Sequence, residues 1–179
     1  KSYKYLLVAV LSLTIVTLFT FNRRMKELIS LQTYEKFDTS LSTSIRLGIY
    51  DCSLKVIKER YLLGYGIGAA QNALNLCYSK KSDILLMNKF NSHNQYLDVL
   101  IKTGIIGLVL FLFFIFQNLN FALKNKNELL LLTTILYAII FFTENLLSRQ
   151  SGVILFFFLI CFFNSSNKAV YNKEDVTKS

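Results

Sequence analysis

The chain contains one histidine, His93, in the sequence SHNQYL. Asn91 or Ser92 can cap a helix here, and the pattern predicts that the helix runs to Thr103, with Gly104 at its C-terminal stop. His93 would then lie in the first turn. The positive end of a helix dipole disfavours an imidazolium ion, so we expect a mostly neutral ring at pH 7. A neutral ring can accept a proton, which makes His93 a candidate general base; the alternative is an ordinary surface or capping histidine.

A second candidate is Arg46, in the sequence RLGIY, one helical turn ahead of Tyr50. A planar guanidinium grips phosphate oxygens in bidentate fashion and stays charged. The residues alone also allow a surface arginine at a helix end. The helix itself is predicted over residues 45–62, because four apolar residues form one helical stripe: Ile45, Ile49, Cys52 and Val56.

Further polar candidates lie near the second half of the chain. Glu144 and Arg149 bracket a short turn between two apolar segments. Ionisable groups at membrane depth are costly and usually face a protein interior or a cavity, so both are candidates for substrate binding; a local ion pair that closes the turn is the alternative. Asn94 can orient the adjacent His93 or bind a sugar. Asp98 is expected to be a helix-surface charge.

The three cysteines show no CxxC spacing, and with a single histidine they predict no metal site. Cys161 lies in an apolar run and is expected to be a packing residue. Cys52 and Cys77 share the long polar segment, where a disulfide can form if the segment is outside the cytoplasm. Spacing alone cannot show the geometry that a disulfide needs, so this pairing stays open.

Three glycines alternate in the sequence LLGYGIGAA, residues 62–70. The GxGxG spacing suggests a phosphate-binding loop, but no strand precedes it and no GK[ST] follows, so the signature is weak. Glycine accepts positive φ, and we favour a turn that ends the preceding helix and returns the chain to the membrane. A short helix from about Ala69 to Tyr78 is predicted to follow.

Hydropathy gives the strongest signal in the chain. The sequence is 53% hydrophobic and 17% charged, whereas soluble chains are about 25% charged. A helix needs about 20 mostly apolar residues to cross a bilayer. We interpret four charge-free segments, of 17, 21, 15 and 18 residues, as membrane spans: residues 5–21, 103–123, 129–143 and 150–167. The net charge of +9 does not indicate a nucleic-acid partner, because the lysines are scattered through loops.

The basic residues suggest an orientation. Short loops rich in Lys and Arg stay in the cytoplasm, whereas long segments cross regardless of their charge. Four spans place both termini on one side, together with the loop that contains Lys124 and Lys126. The short loop on the opposite side contains a single basic residue, Arg149. We therefore expect cytoplasmic termini and a long segment on the outer side.

These observations predict an all-α polytopic membrane protein, with about four transmembrane helices and a mainly helical outer loop. The chain begins with Lys rather than Met, so we expect a piece of a longer protein. The predicted divisions are a transmembrane helix over 1–22, a loop domain over 23–102, three transmembrane helices over 103–163 and a cytoplasmic tail over 164–179.

Four stretches in this order and spacing resemble the O-antigen ligase and polymerase family of bacterial envelope glycan enzymes: RLGIY, SLKVIKERYLLGYGIG, SHNQYLDVLIKTGIIGLVLF and TENLLSRQSGVILFFFL. The resemblance covers about residues 40–163, and HNQYL leading into TGIIGL is its most specific piece. One departure is the stretch ERYLLGYG, which lacks the proline often found before the Gly-rich turn. This departure concerns the turn rather than the chemistry.

The resemblance implies an inner-membrane enzyme with a periplasmic loop that moves a glycan from undecaprenyl diphosphate to an acceptor hydroxyl, without a metal or a nucleotide-sugar donor. We expect no cofactor. The acceptor would be a lipid A-core sugar for a ligase and another glycan repeat for a polymerase, and the sequence does not decide between them. The resemblance also implies that Arg46 and His93 are the functional pair. Our substrate-binding candidates are Asn94, Arg149, Glu144 and Tyr50.

Two other classes of function are open, a transporter and a non-catalytic scaffold. A transporter of lipid-linked glycan needs charged residues along a path through the membrane midplane. Here the ionisable groups avoid the centres of the spans and gather at one interface, which favours surface chemistry. In a non-catalytic scaffold, Arg46 and His93 would be freely replaceable. The membrane lipids are an expected partner, and the oligomeric state is left open.

The predicted topology can be tested by thiol labelling. A reagent that does not cross the inner membrane should label a cysteine placed at Lys80 or Lys81, because the loop is predicted to be periplasmic. The same reagent should not label a cysteine placed at Lys126. The reverse labelling pattern would show that the orientation is wrong.

Overall fold

The computed structural model describes residues 42–176, with side chains described for residues 43–165. All regular elements in that part are helical, which confirms the predicted all-α class there. The first predicted span, within residues 1–22, lies outside the described residues. The elements are α1 (Ser42–Glu59), α2 (Ala70–Lys81), α3 (Asp83–Asn88), α4 (Gln95–Lys124), α5 (Glu128–Ile140), a 3₁₀ turn (Leu146–Ser148) and α6 (Gln150–Val176).

The chain divides into two compact units after Asp51, inside α1. Arg46 and Tyr50 belong to the first unit, and every residue from Cys52 onward belongs to the second. The described part of α1, Ser42–Glu59, includes three residues ahead of the predicted start and ends at Glu59 instead of residue 62. The predicted stripe is confirmed, because three of its members are buried and Ile45 is half-buried: the buried members are Ile49, Cys52 and Val56.

A disulfide joins Cys52 of α1 to Cys77 of α2, with the two Cα atoms 5.7 Å apart. The structure thus resolves the pairing that the sequence left open. In the chain-entropy account, closing a loop of 25 residues stabilises the fold by about 3 kcal/mol. Tyr78, the residue after Cys77, has a fully buried side chain, and burial raises the pKa of its hydroxyl.

The helix α4 is broken at Gly104, whose φ of 67° and ψ of −165° are not helical. Its first part, residues 95–103, ends where the sequence predicts, because glycine adopts positive φ without steric cost. The second part, residues 105–124, continues as a membrane-capable helix. A break of this kind leaves backbone groups on both sides without their usual partners within the helix.

The Gly-rich turn after α1 supplies those partners. The turn has positive φ at Gly64 and at Gly66, as predicted, but not at Gly68. Its backbone lies against the break in α4, so groups that the helix leaves open are satisfied by the turn. Three hydrogen bonds of 2.8 Å make this contact: Tyr65 N–H to Ile101 O, Gly66 N–H to Lys102 O, and Ile105 N–H to Tyr61 O.

The approach is too close for any side chain at two positions. A Cβ atom at Gly64 would lie 2.7 Å from the backbone of Ile101, and a Cβ atom at Gly104 would overlap the backbone of Leu62. By contrast, a Cβ atom at Gly66 or Gly68 would meet nothing within 4 Å. The turn and the break therefore require glycine for two separate reasons, backbone conformation and space.

Among the described residues, α4 is the one helix whose length and apolar composition are sufficient to cross a membrane. The apolar parts of the next two helices, Glu128–Ile140 and Gln150–Ser165, are shorter. At 1.5 Å per residue, the 13 residues of α5 rise about 20 Å, which is less than the ~30 Å hydrocarbon core. The predicted count of four spans is therefore not confirmed.

Aromatic side chains fill the space among α4, α5 and α6. Phe141 and Phe156 are fully buried, with ring centroids 5.4 Å apart, and Tyr137 packs 4.8 Å from the ring of Phe156. Phe111 of α4 completes the contact, 5.6 Å from Phe141. Tilted and edge-to-face arrangements such as these are favoured by the ring quadrupoles. These contacts pack the three helices against one another.

The glycine contacts predict a graded series of stability losses. Gly68→Ala should be nearly neutral. Gly66→Ala should cost about 1–2 kcal/mol, because only its positive φ is unfavourable. Gly64→Ala and Gly104→Ala should each cost about 2–5 kcal/mol, because a backbone clash is added to that strain. Thermal unfolding in one detergent would measure the order; equal losses at Gly68 and Gly104 would contradict the close approach.

Candidate functional site

His93 lies in the connection between α3 and α4, and the structure corrects its predicted position. The helix begins at Gln95 with Asn94 as its N-cap, so His93 precedes the first turn instead of lying in it. Its φ is +45°, a left-handed conformation that is uncommon outside glycine. The N–H group of His93 donates to Asn91 Oδ1 at 3.1 Å, so Asn91 shapes the loop and does not cap the helix.

Asn94 has a well-defined structural role. Its extended backbone places Oδ1 where it accepts hydrogen bonds from Tyr96 N–H at 2.9 Å and Leu97 N–H at 3.1 Å. Its amide nitrogen donates to the carbonyl of Phe142 at 3.1 Å, across to the loop after α5. Asn94 therefore fixes both the start of α4 and its distance from that loop. Its predicted contact with a sugar stays a prediction.

A layer of buried polar side chains lies beside His93; we call Ser92, Gln95, Asp98 and Asn145 the polar layer. Asn145 Nδ2 donates to Ser92 Oγ at 3.0 Å, and Ser92 Oγ donates to the carbonyl of Asn94 at 3.0 Å. Buried polar groups are costly unless they are hydrogen-bonded, so these contacts fix a single arrangement of the two segments.

Gln95 joins the same two segments through its backbone and its side chain. Its N–H group donates to the carbonyl of Phe141 at 2.8 Å, and its Oε1 accepts from Leu147 N–H at 2.8 Å. The first backbone N–H groups of an α-helix have no acceptors within the helix. The loop after α5 therefore supplies an acceptor for the N–H group of Gln95. The start of α4 is thus bonded directly to residues 141–149.

Asp98 was expected to be a surface charge, and this was wrong. Its side chain is buried, accepts from Lys102 Nζ at 2.6 Å and accepts from Ser148 Oγ at 3.2 Å. A buried carboxylate needs such partners, since an unpaired one carries a large desolvation cost. The sequence signal was available, because Asp98 lies one turn after Gln95 and four residues before Lys102, on one helix face.

The predicted residue Glu144 approaches His93. Its carboxylate oxygen lies 3.8 Å from His93 Nδ1, and the side chains are 41% and 25% exposed, respectively. Arg149 follows the 3₁₀ turn, and its side chain is exposed. The alternative of an ion pair between Glu144 and Arg149 stays a prediction.

Arg46 and Tyr50 lie one turn apart on α1, as predicted, and both are half-buried. They belong to the first unit, whereas His93, Asn94, Glu144 and Arg149 belong to the second. The structure thus brings His93 and Glu144 together within one unit. The joint action of Arg46 and His93 stays a prediction.

A sequence model of the O-antigen ligase family matches residues 1–112 of the chain. The chain belongs to the O-antigen ligase family. The match includes RLGIY, the Gly-rich turn and HNQYL, but the stretch at 144–152 lies outside it. Compared with the resemblance, which we placed at residues 40–163, the match starts earlier and ends sooner. No curated protein and no solved structure matches the chain.

Membership in the O-antigen ligase family assigns the chain to the membrane proteins of the bacterial envelope, with a ligase-type or polymerase-type role in glycan assembly. The family implies lipid-linked glycans and lipid A-core acceptors as its general substrates. The matched region contains His93 and Arg46, while Glu144 and Arg149 come from the part after it. Sequence reasoning named all four residues, but it did not place Glu144 beside His93.

The cap suggests a test of Asn94. Asn94→Ala should lower the free energy of unfolding by about 1 kcal/mol, because the first turn of α4 loses its acceptor. Asn94→Asp keeps that acceptor and should recover most of the loss, as measured by thermal unfolding. If Asn94→Asp is stable but loses glycan transfer, the amide contacts substrate; normal transfer by Asn94→Asp would restrict Asn94 to its structural role.

Proposed function

We propose that this protein is a glycosyltransferase of the periplasmic face of the inner membrane. It takes a glycan from undecaprenyl diphosphate and joins it to an acceptor hydroxyl. The observation that carries the proposal is the pair formed by His93 and Glu144, in a chain of the O-antigen ligase family. His93 lies two residues before α4, and in this proposal that end of the helix is where the lipid-bound diphosphate meets water.

His93 acts as the general base in this proposal. The acceptor hydroxyl gives its proton to the imidazole, and its oxygen attacks the first carbon of the donor glycan. The bond between that carbon and the phosphate oxygen breaks, and the electron pair leaves with undecaprenyl diphosphate. A positioned base typically contributes about 10²–10⁴-fold to such a rate. The reaction needs no metal in this proposal, because the leaving diphosphate is already stable as an anion.

Glu144 supports the base. With its carboxylate 3.8 Å from Nδ1, the other ring nitrogen, Nε2, is the one that remains for the acceptor. The carboxylate also stabilises the imidazolium that forms when the proton is taken, as the third member of a catalytic triad does. We expected Glu144 to bind substrate, and we now propose that it positions His93 instead.

Arg46, together with Arg149, stabilises the negative charge that grows on the leaving diphosphate. Arginine suits this role because its guanidinium stays charged and forms two parallel hydrogen bonds with phosphate oxygens. Arg149 is exposed on the same connection that contains Glu144, so it is accessible to a substrate. Tyr50 and Asn94 are the proposed contacts to the glycan.

Two observations support the periplasmic location. The disulfide between Cys52 and Cys77 belongs to the loop side, and disulfides persist in the periplasm but are rare in the cytosol. The short loop that contains Lys124 and Lys126 lies at the other end of α4, as the positive-inside rule requires. Both favour a site that faces outward.

The acceptor decides between a ligase and a polymerase, and lipid analysis of a gene-deletion strain separates them. Accumulation of finished polymer on the lipid carrier would indicate a ligase, and accumulation of single repeats would indicate a polymerase. A transporter is less well supported, because the paired charges Asp98 and Lys102 precede the charge-free run of α4 instead of lying within it.

The proposed base gives a direct prediction. In a deletion strain complemented with variants, His93→Gln should lower glycan transfer about 10²–10⁴-fold, because Gln cannot take the proton. Wild-type transfer should also fall at low pH, as the imidazole becomes protonated, and this fall should be absent from the residual activity of His93→Gln. Membrane insertion and donor binding should be unchanged.

Glu144→Gln serves as the matched variant for the supporting role. It should lower the rate with little change in donor KM, because it acts on the base and not on the diphosphate. Lys80→Gln, an exposed change on α2, is the control for expression and should transfer normally. Normal turnover by His93→Gln would remove His93 from the mechanism.

A further inference from the structure

The Gly-rich turn exposes a set of large apolar side chains. Exposed fractions are 57% for Tyr61, 53% for Leu62, 74% for Leu63 and 80% for Ile67. We call residues 61–67 the apolar turn. Single apolar residues on a surface are ordinary, but several that adjoin one another mark a place of contact with another molecule or with a membrane.

The level of the apolar turn relative to the bilayer follows from α4. The charge-free run between Lys102 and Lys124 has 21 residues and rises about 31 Å as a helix, close to the ~30 Å hydrocarbon core. Lys102 therefore marks one surface of the membrane, and Gly104 lies just inside that surface. The break in α4 is at the depth where headgroups meet acyl chains.

The backbone contact fixes the apolar turn at that same depth. Tyr65 and Gly66 donate hydrogen bonds to the carbonyls of Ile101 and Lys102, and Ile105 donates to the carbonyl of Tyr61, all at 2.8 Å. A turn bonded to both sides of the break cannot move away from the membrane surface without losing these bonds. Its apolar side chains are thereby presented to the lipid boundary.

The charges next to the apolar turn fit an anionic lipid surface. Lys58 and Arg60 are exposed directly before it, and the Arg60 guanidinium lies 4.9 Å from the centre of the Tyr65 ring. Tyrosine rings are enriched at membrane interfaces, and a basic flank beside an apolar face is typical of interfacial segments. The one exposed acidic neighbour, Glu59, accepts a hydrogen bond from Tyr65.

We propose that the apolar turn is an interfacial anchor, which inserts Leu62, Leu63 and Ile67 into the outer leaflet beside α4. The insertion places the loop domain on the bilayer surface, next to the lipid-linked donor. The inference rests on the membrane location of the family and on the backbone contact. It does not depend on the transfer chemistry, so it can fail or succeed separately from the proposed function.

Tryptophan fluorescence tests the proposal, since the chain contains no tryptophan. Leu63→Trp and Ile67→Trp each introduce one reporter at an exposed position, which should not disturb folding. The protein is reconstituted in vesicles of phosphatidylethanolamine and phosphatidylglycerol that contain nitroxide lipids. One probe has its nitroxide near the headgroup, and the other has it near the end of the acyl chain.

Two matched variants calibrate the measurement. Leu76→Trp, 67% exposed on α2, reports a position of the loop domain away from the break, and Phe113→Trp, 56% exposed, reports the interior of the α4 span. Far-UV circular dichroism and a thiol count confirm the fold and the disulfide of each variant. Leu76→Trp should be quenched by neither probe, and Phe113→Trp should be quenched more by the deep one.

The expected result is that both turn reporters are quenched more by the shallow probe, with blue-shifted emission, at a depth of about 5–10 Å within the interface. Red-shifted emission without quenching would show that the turn faces water and would overturn the proposal. Blue-shifted emission without quenching would show that protein covers the turn, and this would overturn it as well. The same quenching pattern in Leu63→Trp and Ile67→Trp would show that the result is not caused by one substitution alone.

Discussion

The contact between the Gly-rich turn and the break at Gly104 consists of backbone alone. Gly64 and Gly104 each approach a neighbouring main chain so closely that no Cβ atom fits at either position. The helix gives up its own hydrogen bonds at the break, and the turn replaces them. Each hydrogen bond contributes about 0.5–1.5 kcal/mol net to stability, whereas a buried donor or acceptor left unsatisfied costs about 1–3 kcal/mol. Removing the turn would therefore cost more than the net contribution of its hydrogen bonds.

This contact defines a short rigid segment. Residues 95–103 form about 13 Å of helix between the break and the cap at Asn94. One end is bonded to the Gly-rich turn, and the other end is bonded to the loop after α5 through Gln95, Asn94 and the polar layer. His93 lies directly before this segment, and Glu144 lies on the loop that the segment contacts. The distance between base and carboxylate therefore depends on both ends.

Periodicity and glycine chemistry were sufficient for the local structure. They predicted the stripe on α1, the turn at Gly64 and Gly66, and the end of a helix at Gly104, because each depends on neighbours in sequence. Periodicity and glycine chemistry could not predict contacts between residues that are distant in sequence. The run Asn-Ser-His-Asn offered several possible caps, and only the contact with Phe142 and the extended backbone of Asn94 select one. Asp98 is buried, and its carboxylate accepts a hydrogen bond from Ser148, 50 residues away.

Native-state hydrogen exchange of the reconstituted protein tests whether the turn, the break and the site form one cooperative unit. The amides of Tyr65, Gly66 and Ile105 should be protected, and they should lose protection together with those of Gln95 and Leu147 as denaturant is added. Rapid exchange at Tyr65 and Gly66 while Gln95 and Leu147 stay protected would contradict a single cooperative unit, because the site would then persist without the docked turn.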